Sequence, residues 1–346
     1  MVQGTKDGLS VMRVLYFVHT AYPEANGIAI HLHYLQKNLA GMAETSIIQG
    51  RGIAIPGFSS MRVPLMEFFR GFATPCDLVH VHGYSLFTAA GAILARLRGK
   101  PFVWTVHGVP KFGDRRKWLL GLYNFLFLGW LKSADAIISV SHDERVGEWE
   151  KAGGPINYLP NGVDTDIFKP ASSYRQSRYA GYFGRLDRDK GVEELMQIKS
   201  FPLLLAGPDE GMLEKLKGMG ELQYRQARHE DMPALYNQCR YVLLPSHYEG
   251  YPLTMLEALA CERPFVARPV GEIPAVMRQL LGEDKWKKYM IEGSEPLESR
   301  LARLEKENLE QELKAARKAI EQALSWKVVA GQTFEIYEKT LEKKKR

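Results

Sequence analysis

Tyr241-Val-Leu-Leu-Pro245-Ser-His-Tyr-Glu249-Gly-Tyr-Pro252-Leu-Thr-Met-Leu-Glu257-Ala-Leu-Ala260 reads as a strand, a loop and a helix in that order. Its first four residues are apolar and closed by Pro245, the pattern of a short buried strand. Pro252 suits the first position of a helix, where its missing N–H costs nothing. The loop between carries Glu249, and Glu257 follows about a turn and a half into the helix. Free backbone N–H groups in a first helical turn attract anions such as phosphate. Two ionised carboxylates beside that turn would hold the hydroxyl groups of a sugar phosphate, because they are strong acceptors. Taken alone, the spacing also suits a solvated helix with two surface glutamates.

Outward from this run the same alternation covers nearly the whole chain. Met12–Val18, Thr45–Gln49, Asp77–Val81, Phe102–Val106, Ala136–Val140 and Asn157–Leu159 read as strands. Helical patterns lie between them at Ile28–Ala40, Leu86–Leu97, Arg115–Lys132 and Asp143–Lys151. A second series begins near residue 178 with Tyr179–Phe183, Leu203–Ala206, Leu222–Gln226, Tyr241–Leu244 and Pro264–Ala267. Such alternation predicts parallel sheets covered by helices, and two series predict an α/β protein of two doubly wound, Rossmann-like domains. Ligands in these folds collect at the carboxyl ends of strands, so two facing domains would offer a central cleft. The boundaries read as 1–165 for the first domain, 166–177 for a polar linker and 178–325 for the second domain. Residues 299–325 alternate Arg, Lys and Glu as a solvated, ion-paired helix, and a last helix over 326–346 should dock on a domain.

With 45% of its 346 residues hydrophobic, the chain can bury a core for two domains. Its 46 basic and 40 acidic residues leave +6, a mild excess that suits an anionic small molecule or membrane surface and demands neither. No arginine-rich tract or zinc spacing points to nucleic acid. Cys76, Cys239 and Cys261 form no paired motif, which fits a reducing cytoplasm. The first ten residues lack a secretory pattern. The longest apolar stretch, Trp118 to Leu131, spans about 21 Å as a helix, short of a bilayer core of roughly 30 Å. A soluble or peripheral protein is therefore expected. The basic–aromatic run from Arg115 to Trp130 reads as a helix packed on the first sheet. It also suits a bilayer surface, so peripheral contact with an anionic membrane at the inner face of the cell membrane is a testable alternative.

Three further segments carry candidate chemistry. Gly184-Arg-Leu-Asp-Arg-Asp-Lys190-Gly191 follows the opening strand of the second series, where Arg185 and Lys190 could neutralise a diphosphate. An exposed turn of alternating charges is the plain alternative. Thr105-Val-His107-Gly108 ends another buried strand, and His107 there is either a substrate contact or a satisfied rim histidine. Asn26-Gly27 lies in the turn between the first strand and the first helix, just before Ile28, and Gly27 would let backbone approach a ligand closely. Asp164-Thr-Asp166 and the pair His80, His82 have the chemistry of metal ligands but lack supporting partners in the sequence, so no metal is expected. Neither a dinucleotide-binding Gly-x-Gly-x-x-Gly after the first strand nor a phosphate-binding P-loop is present.

Together these segments resemble the retaining glycosyltransferases of family 4, which have the two-domain GT-B fold. The resemblance rests on Glu249…Glu257 as the E-x7-E element, Gly184-Arg-Leu…Lys190-Gly191, Asp77-Leu-Val-His-Val-His82-Gly83, Thr105-Val-His107-Gly108, Asp135-Ala-Ile-Ile-Ser-Val-Ser141 and Leu159-Pro-Asn-Gly-Val-Asp164. Ser325-Trp326…Tyr337 looks like the family's last helix, which crosses back to the N-terminal domain. The resemblance implies transfer of a sugar from a nucleotide diphosphate sugar, with retention, to a glycan, lipid or small-molecule hydroxyl, and no metal cofactor. Glu249 is then placed by the donor sugar, Glu257 on the nucleotide ribose, Arg185 and Lys190 on the diphosphate, and His107 near the sugar's reacting face. Gly27, Gly250 and backbone N–H groups from Tyr251 through Pro252 and Leu253 to Thr254 belong to the donor-binding set, except that Pro252 has no N–H to give.

The chain departs from the family pattern in several places. Its first glycine pair is reduced to Asn26-Gly27, Gly271-Glu272-Ile-Pro274-Ala275 replaces a Gly-Gly before Pro-Glu, and Cys261-Glu262-Arg263 replaces a Cys-Gly turn. Tyr224-Arg-Gln-Ala-Arg228 lacks the glycine often found near the base, which leaves the nucleobase unreadable. A nucleotide-sugar epimerase on a similar fold, and a degenerate module that binds without turnover, are the rival readings.

Overall fold

The structure, a computed structural model, describes residues 11–107 and 133–345, apart from residues 20, 23–25, 51–52, 56–57, 64, 84–85, 143–146, 148–149, 152–153 and 219. The chain divides into two compact units, residues 1–160 with 329–346, and residues 161–328. The stretch from residue 115 to 132 lies outside the described residues, as does most of the helix expected over 143–151.

The first unit is built on a six-stranded parallel sheet in the order β2-β1-β5-β6-β7-β8. These strands are β1 Met12–Val18, β2 Ala43–Gln49, β5 Leu78–His82, β6 Phe102–Val106, β7 Ala136–Ser139 and β8 Ile156–Tyr158. Two short strands, β3 Ile53–Ile55 and β4 Phe58–Val63, pair antiparallel as a separate ribbon, and neither was expected from the sequence. β5 and β6 are buried along their whole lengths, including the polar residues His80 and His82 of β5 and Thr105 of β6. β2, at the sheet edge, alternates in burial. Helix Gly27–Leu39 starts behind β1, and the Asn26 side chain caps it by accepting from the Ala29 N–H at 2.9 Å.

The second unit carries a five-stranded parallel sheet in the order β11-β10-β9-β12-β13. Its strands are β9 Tyr179–Phe183, β10 Leu203–Ala206, β11 Leu222–Arg225, β12 Cys239–Leu244 and β13 Phe265–Ala267. In both sheets the strand order reverses direction once, between β1 and β5 and between β9 and β12. Connections there leave to opposite sides, which opens a crevice at the carboxyl ends of the two strands.

The charged stretch 299–325 is two helices, Leu297–Leu304 and Glu310–Ala323, rather than one solvated helix. Leu301, Leu304, Leu313, Ala316 and Ile320 bury one apolar stripe in the core of the second unit. The break between them is held from outside. Glu305 accepts from Arg240 at 2.7 Å and from the Tyr241 hydroxyl at 2.6 Å, and the Leu309 N–H reaches the Tyr174 hydroxyl at 3.3 Å. Residues 166–177 are packed on this unit too, with Phe168 and Tyr174 buried. A fully buried arginine, Arg263, ties the segment down by donating to the Ser172 carbonyl, the Ser177 hydroxyl and the Asn237 side chain. Among the described residues no helix is long and apolar enough to cross a membrane.

Candidate active site

Loops at the carboxyl ends of β9 and β12 bring most of the expected second-unit residues together. After β12, Pro245 turns the chain out of the sheet, and Glu249 projects from the loop. After β9, residues 184–191 fold back against that loop, with Asp187 accepting from the Lys190 N–H at 2.9 Å. The His247 N–H donates to the Asp189 carbonyl at 3.0 Å, which ties the two loops to each other. Gly191 makes this closure possible. It has φ +66°, and a Cβ there would lie 2.1 Å from the Pro245 carbonyl oxygen. The result is an ion pair between Lys190 Nζ and Glu249 Oε1 at 2.6 Å, with side chains only 21% and 11% exposed.

Arg185 stands at the rim, half exposed, where its guanidinium meets Asp187 at 3.0 Å and Glu210 at 3.1 Å. Its backbone carbonyl accepts from the Tyr182 hydroxyl at 2.7 Å. Lys190 and Glu249 are therefore directly paired, while Arg185 is held by its own acidic neighbours.

Helix Leu253–Ala260 begins directly after the loop, with Pro252 as its N-cap rather than its first helical residue. Its opening N–H groups are those a helix leaves unpaired, and the Thr254 hydroxyl donates to the Phe183 carbonyl at 3.1 Å. Gly250 has open space around its Cα, and its carbonyl accepts from the Glu272 N–H at 3.1 Å. The Tyr251 carbonyl accepts from Asn161 at 3.5 Å, whereas the buried Tyr251 hydroxyl has no hydrogen-bond partner among the described residues. Gly271 holds the far side of the loop. At φ +56°, a Cβ there would meet the Glu249 carbonyl oxygen at 2.0 Å. The departure Gly271-Glu272 from the family pattern thus retains the one glycine that the Glu249 backbone requires.

Glu257 is buried and held by two groups that the sequence did not single out. His229 Nε2 donates to one carboxylate oxygen at 2.8 Å and the Tyr236 hydroxyl to the other at 2.6 Å. Burial alone would lower the His229 pKa, but the hydrogen bond and charge of Glu257, with the charges of Asp164 and Glu230, outweigh it and hold it above the ordinary 6.5. The imidazole is thereby biased toward the cation beside this carboxylate. His229 lies 28 residues from Glu257 with no local pattern to link them, so only the packing of its turn against the helix reveals the contact. Asp166 makes an ion pair with Lys327 at 2.8 Å, which places one member of the Asp164-Thr-Asp166 triplet in a structural role.

In the first unit, Gly27 opens its helix with no atom of the described residues within 4 Å of a would-be Cβ. His107 follows β6 and is half-buried among other imidazoles. Its Nε2 lies 3.2 Å from Nδ1 of His82, and its ring packs edge-on against His31 at 4.6 Å between centroids. His80, on the same strand face as His82, is fully satisfied between Tyr337 at 2.6 Å and Thr105 at 2.7 Å. Tyr337 belongs to the last helix, Trp326–Lys345, and its hydroxyl also meets that of Tyr16 at 2.9 Å. Burial pushes the His80, His82 and His107 pKa values well below 6.5, with neighbouring imidazoles adding to the effect, which favours the neutral form of these three rings.

Comparison with known proteins assigns the family. The family model "Glycosyltransferase Family 4" matches residues 47–167, and "Glycosyl transferases group 1" matches residues 177–307. GDP-mannose:cellobiosyl-diphosphopolyprenol alpha-mannosyltransferase of Xanthomonas campestris is 25% identical over 244 residues, or 64% of this chain and 63% of that protein. Alpha-maltose-1-phosphate synthase of Mycolicibacterium smegmatis is 26% identical over 309 residues, covering 75% and 78% respectively. Among solved structures, sucrose-phosphate synthase from Thermosynechococcus elongatus superposes with a TM-score of 0.75 at 19% identity, covering 95% of this chain and 99% of that one. Anabaena HepE in complex with UDP gives 0.72 at 15% identity, covering 95% and 100%. The first matched segment lies mainly in the first parallel-sheet unit and the second lies within the second, and the chain belongs to the family 4 glycosyltransferases of the GT-B fold.

Proposed function

We propose that this chain transfers a sugar, with retention at the anomeric carbon, from a nucleotide diphosphate sugar to a hydroxyl of a glycan, lipid or small-molecule acceptor. The observation that carries the reading is the Lys190–Glu249 pair at the β9/β12 crevice, beside Arg185 and the start of helix Leu253–Ala260. A departing nucleoside diphosphate gains negative charge as the glycosidic bond breaks, and preorganised cations and amides offset it without a metal on the diphosphate. Lys190 and Arg185 supply the cations, and the helix start supplies the amides. Glu249 is assigned to the donor sugar and Glu257, steadied by His229 and Tyr236, to the ribose. His107 is assigned to the sugar's reacting face on the strength of its place in Thr105-Val-His107-Gly108. The acceptor hydroxyl is deprotonated by the leaving phosphate oxygen in a front-face reaction. Support comes from HepE, which is seen with UDP and with UDP-glucose, and from the Xanthomonas relative, whose name carries a GDP-mannose donor.

Incubation with UDP-, GDP- and ADP-sugars tests the reading. Release of nucleoside diphosphate with an α-linked product from an α-linked donor supports it. Interconverted sugar would indicate an epimerase, and saturable binding without turnover a degenerate module. Addition of EDTA should leave the rate of nucleotide release unchanged. Attachment of a cytoplasmic chain to an anionic membrane through the basic–aromatic sequence 115–130 belongs to the same proposal. Failure to float with anionic liposomes at low salt removes that part alone.

A further inference from the structure

We propose that His31, His82 and His107 of the first unit form a binding site for one transition-metal cation of the Zn²⁺, Co²⁺ or Cu²⁺ class. Among the described residues these are the three side chains whose metal-binding atoms converge, with one nitrogen from each lying within 4.8 Å of the others. They come from three separate elements: His31 from helix Gly27–Leu39, His82 from the end of β5 and His107 from just after β6. All three stand at the carboxyl edge of one parallel sheet, near its point of reversed strand order.

The distances suit a tetrahedral ion. Metal–nitrogen bonds of about 2.0–2.1 Å put two ligand nitrogens roughly 3.4 Å apart. His82 Nδ1 and His107 Nε2 already stand at 3.2 Å, and one ligand nitrogen from each of the three rings lies within 4.8 Å of the others. His82 is 1% exposed, and among the described residues its Nε2 has no hydrogen-bond partner, so no polar group on that side fixes which nitrogen the ring presents to an ion. Three imidazoles without a carboxylate or thiolate favour Zn²⁺, Cu²⁺, Co²⁺ or Ni²⁺ over Mg²⁺ or Ca²⁺, and leave a fourth position for water. The site shares His107 with the transferase reading, which sets that ring by the donor sugar and the diphosphate on cations of the second unit, so metal uptake is measured without donor.

Co²⁺ is the probe. Full-length protein stripped with chelator and desalted should take up one equivalent, with the intense visible d–d absorption of a tetrahedral ion. His31→Gln and His82→Gln should each weaken Co²⁺ binding at least about tenfold, the low end of what even an outer-shell change costs. His142→Gln and His229→Gln should bind as the parent does. Because a substitution at buried His82 can unfold the unit, the unmutated protein loaded with Cu²⁺ provides a second reading. Its electron paramagnetic resonance spectrum should show coupling to several imidazole nitrogens. Absence of tetrahedral Co²⁺ absorption, a Cu²⁺ spectrum with oxygen ligands alone, or equal loss in the control variants would each overturn the site. None of these readouts depends on turnover.

Discussion

Replacing Gly271 by alanine tests whether the Glu249 loop is held by a backbone contact that only glycine permits. Two costs combine at this position. Its φ of +56° is left-handed, which charges an L-residue about 1–2 kcal/mol. The new Cβ would also sit 2.0 Å from the Glu249 carbonyl oxygen and 2.9 Å from that of Gly250. Both are backbone atoms, so relief requires the loop itself to move by about 1 Å, and overpacking of this kind adds roughly 1–3 kcal/mol. Gly293 separates the two costs, since it has nearly the same φ, +52°, with nothing within 4 Å of a Cβ. Gly293→Ala should therefore cost about 1–2 kcal/mol and Gly271→Ala about 2–5 kcal/mol in urea unfolding. In a unit of this size each kcal/mol lowers the melting temperature by about 2–4 °C. Function should separate the pair more sharply. A shift of about 1 Å in the Glu249 backbone can cost on the order of 100-fold in turnover, while Gly293→Ala should leave turnover intact. Equal destabilisation and equal turnover in the two variants would show that the Glu249 loop is not clamped by Gly271.

Glu262 is the sole non-glycine with positive φ among the described residues, at +55°, and occupies the position after the helix cap Cys261. There the Arg263 N–H donates to Ala258 and the Glu262 N–H to Leu259, the two bonds of a Schellman ending, so Glu262→Gly should stabilise the unit by about 1 kcal/mol in denaturant titration. Lys190→Ala and Glu249→Gln should each abolish nucleotide release while the chain still melts cooperatively. The partly buried ion pair makes the stability loss in Lys190→Ala roughly 1–3 kcal/mol after allowing for the solvent that reaches it. His229 should titrate by NMR above its ordinary 6.5. Because its folded pKa is raised, its contribution to stability is fully present below 6.5 and is lost as pH rises through the folded value. In Glu257→Gln the imidazole should titrate below 6.5, leaving burial as the dominant influence, and this pH-dependent contribution should disappear.

The fold was legible because its strands are buried on both faces. An interior parallel strand is apolar at most positions, so β1, β6, β9 and β10 stand out as short, largely apolar runs at the residues where they are found. The β3–β4 ribbon was missed because a short antiparallel pair off the main sheet carries no such run. The helix pair 297–323 was read as one piece because helical periodicity continues across a break made by Arg240, Tyr241 and Tyr174, all distant in sequence. Glu249, Lys190 and Arg185 could be singled out since each lies in a loop after a recognisable strand end, and Glu257 since it lies inside the helix that follows one of those loops.

Local sequence therefore determined which segments are strands and which loops carry charge, because period, capping and proline placement act within a few residues. What each charged group touches was decided by tertiary structure alone. The closure of Lys190 onto Glu249 depends on glycines at positions 191 and 271 packing against backbone carbonyls from other loops. The embrace of Glu257 by His229 and Tyr236, and the gathering of His31, His82 and His107, follow from strand order. A parallel sheet brings the ends of distant segments side by side, and no spacing along the chain records which ends those will be.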